Sequence, residues 1–120
     1  MDCLFLTRGN LPALPAVVSI TGSGKSSYCY TTIAGTEYTT ATNNISVHTG
    51  DEIIFGVYGT SKTYYGEVTI DGTQVLKAIG KTTSTYTWIV PKGVKQITIA
   101  MTYTSNSKQR NGRISVTTSK

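Results

Sequence analysis

The twelve residues Ser19–Tyr30, SITGSGKSSYCY, decide how this chain folds. Gly24, Lys25 and Ser26 reproduce the GK[ST] end of a phosphate-binding loop, and Gly22 adds backbone freedom. The full motif asks for another Gly five residues before the second one, where this chain has Ser19. It also asks for a helix directly after the loop, because a helix N-terminus supplies the aligned N–H groups that hold phosphate. Ser26 leads instead into Ser27-Tyr28-Cys29-Tyr30-Thr31-Thr32-Ile33, rich in aromatic and β-branched residues that pack on a pleated surface. This stretch opens a strand. Gly22–Lys25 is therefore read as a hairpin connection with Lys25 exposed, and a nucleotide loop is set aside.

Outward from that stretch the same grammar continues. Pro12 and Pro15 hold the preceding segment extended, since proline fixes its own φ and pushes its predecessor out of the helical region. Residues 1–15 read as an arm, leading into a strand at 16–21. Downstream, strands are expected at 26–33, 36–40, 45–48, 52–58, 64–70, 73–79, 84–90, 96–104 and 113–118, with turns at Ala34-Gly35, Thr49–Asp51 and Lys92-Gly93. Asp71-Gly72 is the strongest hairpin signal, because a type I′ turn needs positive φ at both central residues. Period-two alternation places Ile97, Ile99, Met101 and Tyr103 on one strand face, and Tyr86, Trp88 and Val90 on another. EIIFGVY, apolar on both faces, reads as a central strand. No window has a 3.6-residue period. Short strands at this turn spacing predict an all-β chain, a single antiparallel sandwich or barrel over 16–120 with an extended N-terminal arm.

Composition agrees. The 120 residues suit one domain, rich in Ser, Thr and Tyr and poor in charge, so hydroxyls carry much of the solubility. The net charge is +5, but the basic residues are spread along the chain. The one cluster, Lys108, Arg110 and Arg113 in SKQRNGR, reads as a solvated hairpin tip in preference to a phosphate-contact patch, and nucleic acid is disfavoured as a partner. The acidic start and the short apolar run Leu4-Phe5-Leu6 do not make a secretory signal, and no stretch reaches membrane-spanning length. Synthesis in a cytosol, without a signal peptide or membrane, is expected. Cys3 and Cys29 have no metal-site spacing and are expected as reduced thiols.

The stretches VHTGDEIIFGV, YYGEVTIDGTQVL, YTWIVPKGVKQITIAMTY and GRISVTT resemble small Ig-like β-sandwich proteins. The start, with Cys3 and Arg8-Gly9, is similar to short proteins encoded by bacteriophages and prophages of gut bacteria. The resemblance spans nearly the whole chain. It implies a virion-associated structural role and carries over no catalytic residue. The Cys…Trp…Cys arrangement of antibody domains is lacking, so no core disulfide is expected.

Candidate chemistry is sparse. His48, the only histidine, stands at a strand end without a GxSxG elbow and reads as exposed and structural. Asp51 and Asp71 occupy turn positions where Asp bonds to nearby backbone. No catalytic residue, cofactor or metal ligand is expected, and the protein is read as a non-enzyme. The informative residues are of two kinds. Leu4, Phe5, Leu6, Leu11 and Leu14 make the arm apolar, suited to docking on a sheet edge or a neighbouring subunit. Tyr38, Tyr58 and Tyr65 sit among polar residues and could be an interface, a sugar-stacking platform or cross-strand pairs. The expected function is a phage virion structural protein that decorates or joins capsid or tail. It would act through contacts with other virion proteins or its own copies. A carbohydrate-binding or adhesin-like module, with glycans as partners, is the alternative.

Overall fold

Alternation along each strand sends one row of side chains inward, and two sheets close over those rows. The computed structural model describes residues 13–58, 64–80, 83–106 and 110–120. They form β1 (Pro15–Gly22), β2 (Cys29–Ile33), β3 (Thr36–Tyr38), β4 (Thr42–His48), β5 (Glu52–Tyr58), β6 (Tyr64–Ile70), β7 (Thr73–Ile79), β8 (Thr83–Ile89), β9 (Gln96–Ser105) and β10 (Arg110–Ser119). The chain is all-β. One sheet has six strands in the order β4-β1-β9-β10-β6-β7, and the other has four in the order β3-β2-β5-β8. Both contribute to one core. Val18, Ile20, Val68, Ile97, Ile99, Met101, Ile114 and Val116 come from the larger sheet, and Ile33, Ile53, Phe55, Val57 and Trp88 from the smaller. Each such side chain contributes about 1.5–3 kcal/mol on burial.

The local signals are met where both partners are neighbours in sequence. Asp71 and Gly72 have φ of 48° and 86° and join β6 to β7. Ala34 and Gly35, at 50° and 81°, join β2 to β3. β5 lies inside its sheet, with Ile53, Phe55 and Val57 at zero exposure. On its other face the Tyr30 ring lies over Gly56, where any Cβ would fall within 2.5 Å of the ring and its hydroxyl.

Three expectations are corrected. First, pairing is not antiparallel throughout: β1 runs parallel to β9, and β10 parallel to β6. The chain changes sheet repeatedly, as between β1 and β2, β4 and β5, and β7 and β8. A strand returning from the opposite layer can enter beside a neighbour in either direction, so no helical crossover is needed. Second, Gly22–Lys25 is no hairpin. It carries the chain from the six-stranded sheet to the four-stranded one, and Lys25 is exposed as expected. Residues 26–28 form a turn closed by Tyr28 N–H and Cys29 N–H donating to the Lys25 carbonyl, so β2 begins at Cys29 rather than Ser26. Third, Arg110 and Arg113 belong to β10 rather than to a solvated tip.

Candidate functional site

The root of the arm carries an apolar surface groove. Leu4, Phe5, Leu6 and Leu11 lie outside the described residues; Leu14 lies within them and is 50% exposed. Its carbonyl accepts a hydrogen bond from Thr49 N–H at 2.8 Å, which fixes where the arm meets the domain. Val17, on the outer face of β1, is 40% exposed. Between β1 and the Pro91–Lys95 loop runs a groove of about 540 Å³ lined by Leu14, Pro15, Ala16, Val17, Gly93, Val94 and Lys95. The loop is held there by Val17 N–H donating to the Lys95 carbonyl and Lys95 N–H donating to the Ser119 carbonyl, each at 2.9 Å. Sequence reading found Leu14 but not Val94 and its loop, because the contact joins segments some eighty residues apart along the chain.

The tyrosines part company. Tyr38 is half-buried and packs against the core. Tyr58 lies at the end of β5, and its side chain falls outside the described residues. Tyr65 is on the outer face of β6 as strand parity required, but it is half-buried in a polar cluster. Arg113 Nη1 donates to Glu67 Oε2 at 2.7 Å, and Gln74 Nε2 donates to Glu67 Oε1 at 2.6 Å. The Tyr65 hydroxyl stands 3.3 Å from both Glu67 Oε1 and Gln74 Nε2, while the Arg113 guanidinium carbon lies 5.8 Å from the Tyr65 ring centroid. Cross-strand register builds this cluster: Asn111 sits beside Tyr65, Arg113 beside Glu67, and Gln74 beside Thr69.

The basic cluster is split. Arg110 and Arg113 are three apart on one strand, so they point to opposite faces. Arg113 is tied to Glu67, and Arg110 Nη1 reaches the Tyr28 hydroxyl at 3.4 Å. Lys108 lies outside the described residues.

Sequence reading missed a second aromatic group. Tyr28, at 4% exposure, stacks on Tyr103 with ring centroids 5.5 Å apart and planes 4° apart. On its other neighbour, Tyr64, the centroid distance is 6.1 Å. The Ser105 hydroxyl at 2.9 Å, and then the Arg110 guanidinium, hold the Tyr28 phenol below its ordinary pKa, against the opposing effect of burial. Tyr64 is buried beside the paired glycines Gly66 and Gly112, where added Cβ atoms would meet its hydroxyl at 2.5 and 3.0 Å, and this hydroxyl donates to the Tyr28 carbonyl. Tyr103, expected near the core, is 40% exposed because it lies past the buried part of β9.

Asp51 and Asp71 each tie down a turn. Asp51 Oδ2 accepts from His48 N–H at 2.8 Å, and its N–H donates to the His48 carbonyl, closing the turn. Asp71 accepts from both the N–H and the hydroxyl of Thr118, at 2.8 and 2.6 Å. Cys29 is buried and free, and burial pushes its thiol up to about 11. Among the described residues, no three His, Cys, Asp or Glu side chains gather as metal ligands. No described helix is long and apolar enough to cross a membrane. Compared with known proteins, the chain matches no family model, no curated protein and no solved structure.

Proposed function

We propose that this protein is a non-enzymatic structural component of a bacteriophage virion, an Ig-like sandwich that decorates or joins capsid or tail through repeated protein–protein contacts. The resemblance at the sequence level supplies the particle. The observation that carries the contact mode is the groove at the arm root, with Leu14 and Val17 exposed beside it. Surface apolar area of this kind, contiguous and rimmed by polar residues, is what protein interfaces use. Residues 1–15 would add Leu4, Phe5, Leu6 and Leu11 to that surface. Lysis would release such a protein without an export signal.

The test is particle association. Full-length protein expressed during phage production should co-sediment with particles, and Leu14→Asp with Val17→Asp should reduce the bound fraction while leaving the thermal midpoint unchanged. A wild-type protein that stays wholly in the soluble fraction refutes the proposal.

The Tyr65–Glu67–Gln74–Arg113 cluster favours a second reading, glycan binding, because it sets an aromatic ring beside carboxylate, amide and guanidinium groups that match sugar hydroxyls. Glycan-array binding lost on Tyr65→Ala would support that reading; no binding by the wild type would end it.

A further inference from the structure

An unpaired sheet edge invites another strand, and the four edges of the described sheets differ in how they meet that hazard. β3 is three residues long. β4 carries a register irregularity where it pairs with β1, with Asn44 at φ 60°. β7 has a register shift opposite Val68 and Thr69, and it carries Lys77. Each of these devices discourages pairing. β8 has none of them. Its seven residues, TSTYTWI, hold an unbroken register with β5 from Thr83 beside Tyr58 to Ile89 beside Glu52. They include no charge, no proline and no glycine. β7, the strand before it, belongs to the other sheet.

The phase of the ladder fixes which backbone groups are open. Val90 N–H donates to the Asp51 carbonyl at 2.9 Å. In an antiparallel pair, bonding to one neighbour recurs at every second residue. Ser84, Tyr86 and Trp88 therefore face β5, and Thr83, Thr85, Thr87 and Ile89 direct their N–H and C=O groups to the open side. The side chains of these four are exposed, Ile89 at 47%.

We propose that β8 is a self-pairing edge, and that a second copy of this chain docks on it antiparallel through its own β8. The inference deepens the assembly reading above and rests on it for the choice of a second copy. The net charge of +5 opposes self-association, so two copies approach at least cost along an uncharged strip such as β8. That strip offers an acidic or basic partner strand no charge to select, whereas β8 of a second copy is an uncharged match of equal length. Register allows it. With the two-fold axis at Tyr86, Thr85 lies opposite Thr87 of the second copy and Thr83 opposite Ile89, all with open-side backbone groups. Cross-strand Thr–Thr pairs are favourable. Lys81 and Lys92 flank the strand in sequence and discourage extension beyond it. The contact is isologous, so each copy uses up the one edge left unprotected among the described strands, and the assembly closes. One strand pair falls short of the ~1,200 Å² of a stable interface. The dimer is accordingly weak, with a dissociation constant in roughly the micromolar-to-millimolar range, and it counts where copies are crowded.

Sedimentation equilibrium of the full chain tests this. The wild type should show a monomer–dimer equilibrium that tightens with salt, as screening relieves the flanking lysines. Thr87→Pro removes an N–H that bonds to nothing in the monomer, and it should weaken the dimer at least about tenfold while melting like the wild type. Should that variant fold poorly, Thr85→Lys with Thr87→Lys must weaken the dimer equally. Phe5→Asp with Leu6→Asp should leave the dimer intact. A monomer at millimolar concentration, or a Thr87→Pro dimer as tight as the wild type, overturns the proposal. Association lost in the Phe5/Leu6 variant but kept in Thr87→Pro would remove edge pairing and leave arm-mediated assembly standing.

Discussion

Replacing Gly22 by Ala tests the account of the stretch that imitates a phosphate loop. Gly22 ends β1 at φ 71°, where an L-residue costs about 1–2 kcal/mol. A Cβ there would sit 2.2 Å from the Met101 carbonyl oxygen. That oxygen is backbone, held in the β9 ladder, and it accepts the Ser23 N–H at 2.9 Å. Relief requires moving the carbonyl and weakening this hydrogen bond, which adds about 0.5–1.5 kcal/mol. The sum is about 1.5–3.5 kcal/mol, a large share of the ~5–15 kcal/mol that holds a domain together. Gly93→Ala is the control. Its φ is 88°, but nothing lies within 4 Å of the added Cβ, so the dihedral cost acts alone. Urea unfolding should place Gly22→Ala below Gly93→Ala, with a midpoint gap of about 0.2–1.5 M for a typical urea slope. Equal midpoints would refute the close approach of β1 and β9 and reopen the stretch as a free loop.

Other expectations rest on individual contacts. Thr118, through its hydroxyl first and then its N–H, holds the Asp71 carboxyl below its ordinary pKa. Its contribution is present above the unfolded-state pKa and is lost as pH falls through the lower folded value. The stability gap between wild type and Asp71→Asn should therefore close in acid; thermal melts from neutral to strongly acidic pH would show it, and a gap that widens would contradict it. With Cys3→Ser as background, the Cys29 thiol should resist a thiol reagent at pH 8 until the protein is unfolded in denaturant, because it is both buried and protonated. Phe55→Ala, at a site with zero exposure, should cost about 3–5 kcal/mol in denaturant titration. Arg113→Ala should cost at most about 1 kcal/mol, because the Arg113 side chain is 56% exposed and its ion pair is screened by water.

How much could be read in advance divides along sequence distance. Asp71-Gly72 and Ala34-Gly35 were legible because a tight turn states its needs in two adjacent residues. Tyr65 was placed on the outer face by parity alone. The partners that half-bury it were not legible, since Glu67, Gln74 and Arg113 meet it through the register of three strands. Tyr103 fits the core pattern of its strand yet emerges into solvent, because alternation assigns a side but not how far the opposite sheet extends. The cluster SKQRNGR looked like a tip because Gly and Asn favour turns, whereas Gly112 is in fact the space that admits the Tyr28 carbonyl and the Tyr64 hydroxyl.

The sequence by itself determined that the chain is all strands, which face of most strands is apolar, and where its tightest hairpins fall. These depend on residues close enough to constrain one another's backbone angles. Tertiary structure alone decided that β1 and β9, and β10 and β6, run parallel, that Gly22–Lys25 crosses between sheets, and that β8 is an edge among the described strands. Those outcomes depend on which distant strands share a ladder. That is settled by packing one core of buried side chains, a condition that no short window of sequence contains.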